Sequence, residues 1–429
     1  MVTHGSLKEY FKYNVFAFIF GFGGSVNGSM TYYLGIPVAY LAYLGASVTQ
    51  IGSLTAILWA FFSIPQLWAA YATETKSIKK RFMVSAVILS SLSWLIIGVN
   101  ILLFSNATPV FSIWLFLILF AWAVTMIGMF MPANFSLIYK ITPTEKLGHL
   151  IGILFAVQFI GTFVGGFAIQ AINTEFIKPV NYAVLFLLTF VISTGISGIL
   201  LWIREPESEK IQAEPSFTHY LSKCLTVLRT DTLFTRFLVA KWLMSGHYVM
   251  MAFILVFLIK ERNFDPLNAG WFSSLYALGL AISGFTLAKI SDVYGPKYML
   301  ITSQLIAIVY TAIIWLVPSA GLPLIFVAFI ITGLSEMSDN VGYTNMCLFC
   351  CQSEDKSTYV AVTNVGVIPF MVILPIVVGR LIDTGILTYE RTFALAMGMM
   401  ISAIIYILIV VKNPPGYVEM KTAARLKQI

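Results

Sequence analysis

Residues 111–140 read FSIWLFLILFAWAVTMIGMFMPANFSLIYK, and the first charge in the stretch is its last residue, Lys140. A helix needs about 20 apolar residues to cross the ~30 Å hydrocarbon core of a bilayer, and somewhat more if tilted. This stretch is long enough with length to spare. Eleven others meet the same condition, so that spans are expected near 13–42, 47–72, 82–104, 111–140, 148–173, 180–203, 232–260, 267–290, 297–318, 322–351, 359–384 and 391–411. The expected fold class is all-α integral membrane, with twelve transmembrane helices.

Composition agrees. Of 429 residues, 59% are hydrophobic and 10% are charged, where soluble domains carry about 25% charge. So few polar residues cannot cover a water-exposed surface of this size. The net charge of +7 does not point to nucleic acid, because Lys and Arg fall in short loops between apolar stretches. Lys8 and Lys12 precede a long apolar run with no cleavage site after it, which reads as a retained signal-anchor. Cys347, Cys350 and Cys351 close an apolar helix without a partner pair elsewhere and read as small packing residues, so no metal is expected.

Loop charges give the orientation. Twenty of the 26 Lys and Arg fall on the side of the two termini, five fall on the other, and Lys241 lies inside a span. That bias predicts a multi-pass inner-membrane protein with both termini cytoplasmic. The longest polar interval, 204–231, opens with Arg204-Glu205-Pro206-Glu207, a charged helix stop. Phe217, Tyr220, Leu221, Cys224 and Leu228 follow on one helical face, as in an interfacial amphipathic helix. It reads as a cytoplasmic linker (204–231) between two six-helix bundles, 1–203 and 232–429.

The halves are related. An offset of 218 residues pairs Gly28 with Gly246, Gly52 with Gly270, Glu74 with Asp292, and Lys79 with Lys297, each at equivalent points of equivalent spans. Between spans 8 and 9 the chain reads Ala288-Lys289-Ile290-Ser291-Asp292-Val293-Tyr294-Gly295-Pro296-Lys297. This resembles the signature loop of the major facilitator superfamily, apart from Ala in place of the leading Gly. The first-half copy, Ala70 to Lys80 with Glu74 and Lys79, is degenerate. The resemblance implies a secondary transporter working by alternating access, with the first, fourth, seventh and tenth helices lining a central cavity. It also implies a gating-loop role for Glu74, Lys79, Asp292, Gly295 and Lys297. Drug–proton antiporters of the family usually carry an Arg in the fourth helix, and span 4 has none.

Ionisable residues inside spans are default functional candidates, because charge in hydrocarbon is costly. Away from the helix ends these are Lys241 and His247 in span 7 and Glu336 and Asp339 in span 10. Glu336, Asp339, Asn340 and Tyr343 recur at helical spacing and are expected on one face. Two nearby carboxylates in low dielectric retain a proton more readily than in water. By depth, Glu336 is expected opposite His247, as the protonation site with its partner, and Asp339 opposite Lys241. One difficulty is that Lys241 and His247 are about 120° of helical turn apart, so both need not face the same cavity. The alternative reading is a static ion pair that only joins spans 7 and 10.

Neutral recognition is expected in the first half. Asn27, Asn134 and Gln158, with Trp59 and Gln66 on one face of span 2, are candidate solute contacts. Asn340, Tyr343 and Asn364 would add contacts from the second half. For the amides, interhelical hydrogen bonding is the competing role. These residues suggest a proton-coupled symporter for a small organic solute, with Na⁺ as the alternative coupling ion. An exporter of amphipathic compounds, drugs or lipids is the second reading, and a transport-dead sensor or scaffold the third. No enzyme motif, P-loop or cofactor signature is present, and a monomer in the bilayer is expected.

Overall fold

A computed structural model describes the 429-residue chain except residues 1–3, 24–25, 32–34, 75–77, 143, 208–221, 223–225, 227–228, 266–267, 317–321, 351–355, 415–416 and 419–429. The described residues are helical, with no strand among them. Among the described residues, ten helices are long and apolar enough to cross a membrane. The stripe expected in the linker lies outside the described residues.

The chain divides into two compact units, Met1–Phe217 with Leu258–Ser274, and Thr218–Phe257 with Leu275–Ile429. In unit 1 the first span is described as α1 (His4–Gly23), α2 (Val26–Thr31) and α3 (Ile36–Tyr43). Then follow α4 (Val48–Glu74), α5 (Lys80–Phe104), α6 (Pro109–Ile141), α7 (Thr144–Glu175) and α8 (Val180–Leu201). Unit 2 holds α9 (Thr232–Met244) and most of α10 (Gly246–Arg262) and α11 (Ala269–Thr286). It continues with α12 (Ala288–Tyr294), α13 (Pro296–Leu316), α14 (Leu322–Cys350), α15 (Lys356–Asp383) and α16 (Tyr389–Val410).

Helices in lipid gain nothing from burying apolar surface against one another, so close backbone approach takes over. In unit 1, α4 and α6 meet where a Cβ on Gly128 would stand 2.4 Å from the Phe62 carbonyl oxygen. In unit 2, α11 and α14 meet at Gly279 and Gly333, whose added Cβ atoms would collide with the Ile330 and Tyr276 carbonyls. Only glycine permits either crossing.

Each unit also solves the same end problem in the same place. The first N–H groups of a helix have no partner within it. At the start of α5, the backbone N–H groups of Lys79 and Lys80 donate to the Glu205 carboxylate at 2.8–3.0 Å, and Lys140 Nζ lies 3.0 Å from it. Lys80 Nζ in turn donates to the terminal carbonyls of Leu201 and Ile203. At the start of α13, Lys297 N–H donates to Asn413 Oδ1 at 3.2 Å, Asn413 Nδ2 donates to the Tyr294 carbonyl, and Lys297 Nζ donates to the Leu408 carbonyl. Gly295 turns the chain here with φ +102°, and any side chain on it would strike Asn413. In each unit, the residue just past the sixth span caps the third.

Glu205→Ala removes the acceptor of the Lys79 and Lys80 N–H groups and the Lys140 contact together, which costs about 1–3 kcal/mol. Thermal unfolding in detergent should show a clear drop for Glu205→Ala and a smaller one for Asn413→Ala; equal melting of Glu205→Ala and wild type would remove the capping role.

Candidate functional site

The ionisable residues of unit 2 come from two elements. Asp231 caps α9 by accepting the Phe234 N–H at 2.9 Å. The helix runs to Met244 and is interrupted at Ser245, whose N–H turns back to the Trp242 carbonyl at 3.2 Å. α10 restarts at Gly246, where a Cβ would stand 2.7 Å from the Ala396 carbonyl oxygen, so the position tolerates nothing larger than glycine. The interruption lies between Lys241 and His247 and answers the angular difficulty, since both residues reach α14.

Lys241 Nζ donates to both oxygens of Asp339, at 2.9 and 2.6 Å. The Tyr248 hydroxyl donates to Asp339 Oδ2 at 2.9 Å. The Tyr343 ring centre lies 5.2 Å from the ammonium, within range of a cation–π contact. Both charged side chains are almost fully buried, 3% and 2% exposed.

One turn away, His247 Nε2 lies 3.0 Å from Glu336 Oε2. Its other nitrogen, Nδ1, lies 2.9 Å from the Tyr310 hydroxyl of α13, which is also 3.4 Å from the His247 carbonyl. The Glu336 side chain is 10% exposed, the most open of the four ionisable residues. An ionised Glu336 only accepts, so Nε2 then carries the hydrogen and Nδ1 accepts from Tyr310. With a proton on Glu336, the carboxyl donates to Nε2, Nδ1–H donates to the Tyr310 oxygen, and the Tyr310 hydrogen turns to the His247 carbonyl. The same heavy-atom positions satisfy both protonation states.

Asn340, four residues past Glu336 in α14, is exposed while Glu336 and Asp339 are buried. Asn27 lies in α2 and Asn364 in α15, and Glu74 and Asp292 lie in α4 and α12; the side chains of these four are outside the described residues. Trp59 and Gln66 in α4 and Gln158 in α7 are partly buried. Asn134 in α6 is fully buried, and neither its Oδ1 nor its Nδ2 has a hydrogen-bond partner among the described residues. No hydrogen bond joins Gln66, Asn134 and Gln158 among the described residues. Of the loop residues, Lys79 and Lys297 present their backbone N–H groups to Glu205 and Asn413.

Two functional contacts went unread in the sequence. Tyr248 stands seven residues from Lys241, the spacing of one helical face, and that signal was available. Tyr310 has no such mark; it is one of 20 tyrosines, and only the packing of α13 brings it to His247.

A buried pair loses much when one partner is removed and little when both are replaced by apolar groups. Asp339→Asn should destabilise by about 3–5 kcal/mol by leaving Lys241 buried alone. The double variant Lys241→Met/Asp339→Leu should recover most of the wild-type melting temperature. If the double variant melts as low as the single, the pair is not the isolated unit described here.

A family model described as Major Facilitator Superfamily matches the chain twice, over residues 15–262 and 237–427. No curated protein sequence matches it. Solved structures match in fold. A variant of the nucleoside transporter NupG superposes with a TM-score of 0.72 at 13% identity, covering 92% of this chain and 99% of that one. A bacterial homologue of the human lysosomal transporter Spinster, inward-facing and occupied, gives 0.63 at 15% identity, with 97% of each chain covered. A variant of the E. coli fucose:proton symporter FucP gives 0.60 at 11% identity, covering 94% of this chain and 99% of that one. The two matched segments take in nearly the whole sequence, and the chain belongs to the Major Facilitator Superfamily.

Proposed function

We propose that this membrane transporter carries a small organic solute in symport with protons, and that Glu336 with His247 is the proton site. The observation that carries the reading is the His247–Glu336 contact closed by Tyr310, because it is hydrogen-bonded with and without the extra proton. A site that only held helices together would need one protonation state. The Lys241–Asp339 pair, fixed by Tyr248, acts beside it as a static counter-charge. Among the relatives in fold, FucP is named as a proton symporter, which makes such coupling a natural use of the architecture.

Solute recognition falls to neutral groups, with Asn134 first. Its amide is unpaired and fully buried, so a solute hydroxyl or carbonyl would gain bonds there without breaking internal ones. The excess of Lys and Arg in the loops on the side of the termini supports a cytoplasmic location for both. The second reading, export of amphipathic compounds, is favoured by one observation: within the membrane-length helices the described buried charges, Lys241, Glu336 and Asp339, all lie in unit 2.

A ligand that binds only the folded state raises its melting temperature by mass action. A solute panel run in detergent at acidic and alkaline pH should give a hit whose shift depends on pH in wild type and not in Glu336→Gln. In proteoliposomes, Glu336→Gln should lose proton-driven uptake of that solute while retaining its exchange. A pH-independent hit, or unchanged uptake by Glu336→Gln, ends the coupling assignment; stabilisation by lipids and apolar drugs alone moves the exporter into first place.

A further inference from the structure

Unit 2 carries a second feature, independent of the charged network. α16 packs against α9 and α13. Along its seam with α9 it presents Ala394, Gly398 and Ser402, an i, i+4, i+8 row of small residues, so one ridge of the helix is cut away. Leu243 at the end of α9 and Leu395 and Met399 on α16 wall the resulting groove, which measures about 640 Å³. The groove opens outward: Ala394, Gly398 and Ser402 are exposed, and Leu395 is 56% exposed.

Its dimensions match half a bilayer. From Arg391 to Ser402 the helix rises about 16 Å at 1.5 Å per residue, roughly half of the ~30 Å hydrocarbon core. Arg391 stands at the rim, in the first turn of α16. Its backbone N–H is capped by Thr388 Oγ1, and its guanidinium has no ion-pair partner among the described residues. Glu390, next in the chain, is not part of the groove wall. An unpaired guanidinium at the end of an apolar slot one leaflet deep complements a phosphate attached to an acyl chain, since the guanidinium fork fits phosphate oxygens in pairs.

We propose that this groove is a phospholipid site, with one acyl chain lying along Ala394, Gly398 and Ser402 and the phosphate on Arg391. The chain would lie against Leu243, two residues before Ser245, and against Met399 of α16. Met399 is also the side chain that a Cβ on Gly246 would meet at 2.9 Å. A lipid here therefore braces the helix break beside Lys241 and His247. The assignment does not depend on proton coupling.

Native mass spectrometry of the detergent-purified protein, titrated with phosphatidylglycerol and with a diacylglycerol of the same chains, tests it. Wild type should retain one phosphatidylglycerol, at least about fivefold preferred over diacylglycerol. Arg391→Gln should lose the preference while still taking up diacylglycerol. Gly398→Leu should abolish both, because a Cβ there meets no heavy atom within 4 Å, so leucine fills the groove without a clash. Equal binding of the two lipids by wild type would overturn the phosphate contact. Unchanged phosphatidylglycerol binding by both variants would put the lipid elsewhere. A protein dimer dissociated by Gly398→Leu, with lipid binding intact, would make the seam an interface between two copies of the chain and also overturn the proposal.

Discussion

A charge placed in hydrocarbon has no water to answer it, so its partners must come from the protein, and the positions of those partners fix the helices that carry them. Lys241 takes both oxygens of Asp339, and Tyr248 takes one of them again. His247 is held on one side by α14 and on the other by α13. Four elements, α9, α10, α13 and α14, are thus set in register by six side chains. The hydroxyl contacts of Ser335 with the Ser303 carbonyl and of Ser283 with Ser338 extend the same register to α11 and α13. Such pairs contribute little net stability compared with an apolar core of equal volume. What they supply is a defined alignment that carries a titratable group.

The same demand operates at the helix ends. α5 and α13 begin with unpaired N–H groups, and each is met by a side chain from just beyond the sixth span of its unit. The two solutions differ chemically. Glu205 is a buried carboxylate with Lys140 beside it, 1% and 15% exposed respectively. Asn413 is neutral, so it accepts from one strand of the loop and donates to the other. A duplicated fold has kept the geometry and changed the charge. The Lys297 loop, which retains Gly295, needs only the amide. The degenerate first loop leans on the carboxylate.

How much of this the sequence shows depends on the range of the interaction. Span lengths are local, and α4–α6 and α8 fall close to the stretches read as apolar. The partners of Lys241 and His247 were legible because ionisable residues in spans are few and depth sorts them; with so few candidates, distance along the helix nearly fixes the pairing. Three things were not legible. The break at Ser245 depends on how closely α16 approaches Gly246, which no local pattern records. Glu205 read as a mere helix stop because its partners lie some 125 residues away in the chain. Tyr310 is hidden among many aromatics that face lipid.

The two units divide the polar work unequally. In unit 2 the buried charges are matched by named partners. In unit 1, α6 is left short of them around its middle. Pro132 lacks the N–H that would close the helix bond to the Gly128 carbonyl, Gly128 presses its backbone onto Phe62, and two residues past the proline the Asn134 amide is buried with both polar atoms unpaired. An orphaned amide of this kind costs about 1–3 kcal/mol. A ligand that completes its bonds recovers that energy on binding, whereas a ligand meeting an already satisfied amide has to break a bond to make one. A neutral polar solute that reached Asn134 would therefore complete bonds there without breaking internal ones. The His247–Glu336 contact of unit 2, by contrast, has hydrogen-bond partners both with and without a proton on Glu336. The unpaired Asn134 amide of unit 1 and the paired charges of unit 2 are two outcomes of the same rule about polar groups in lipid.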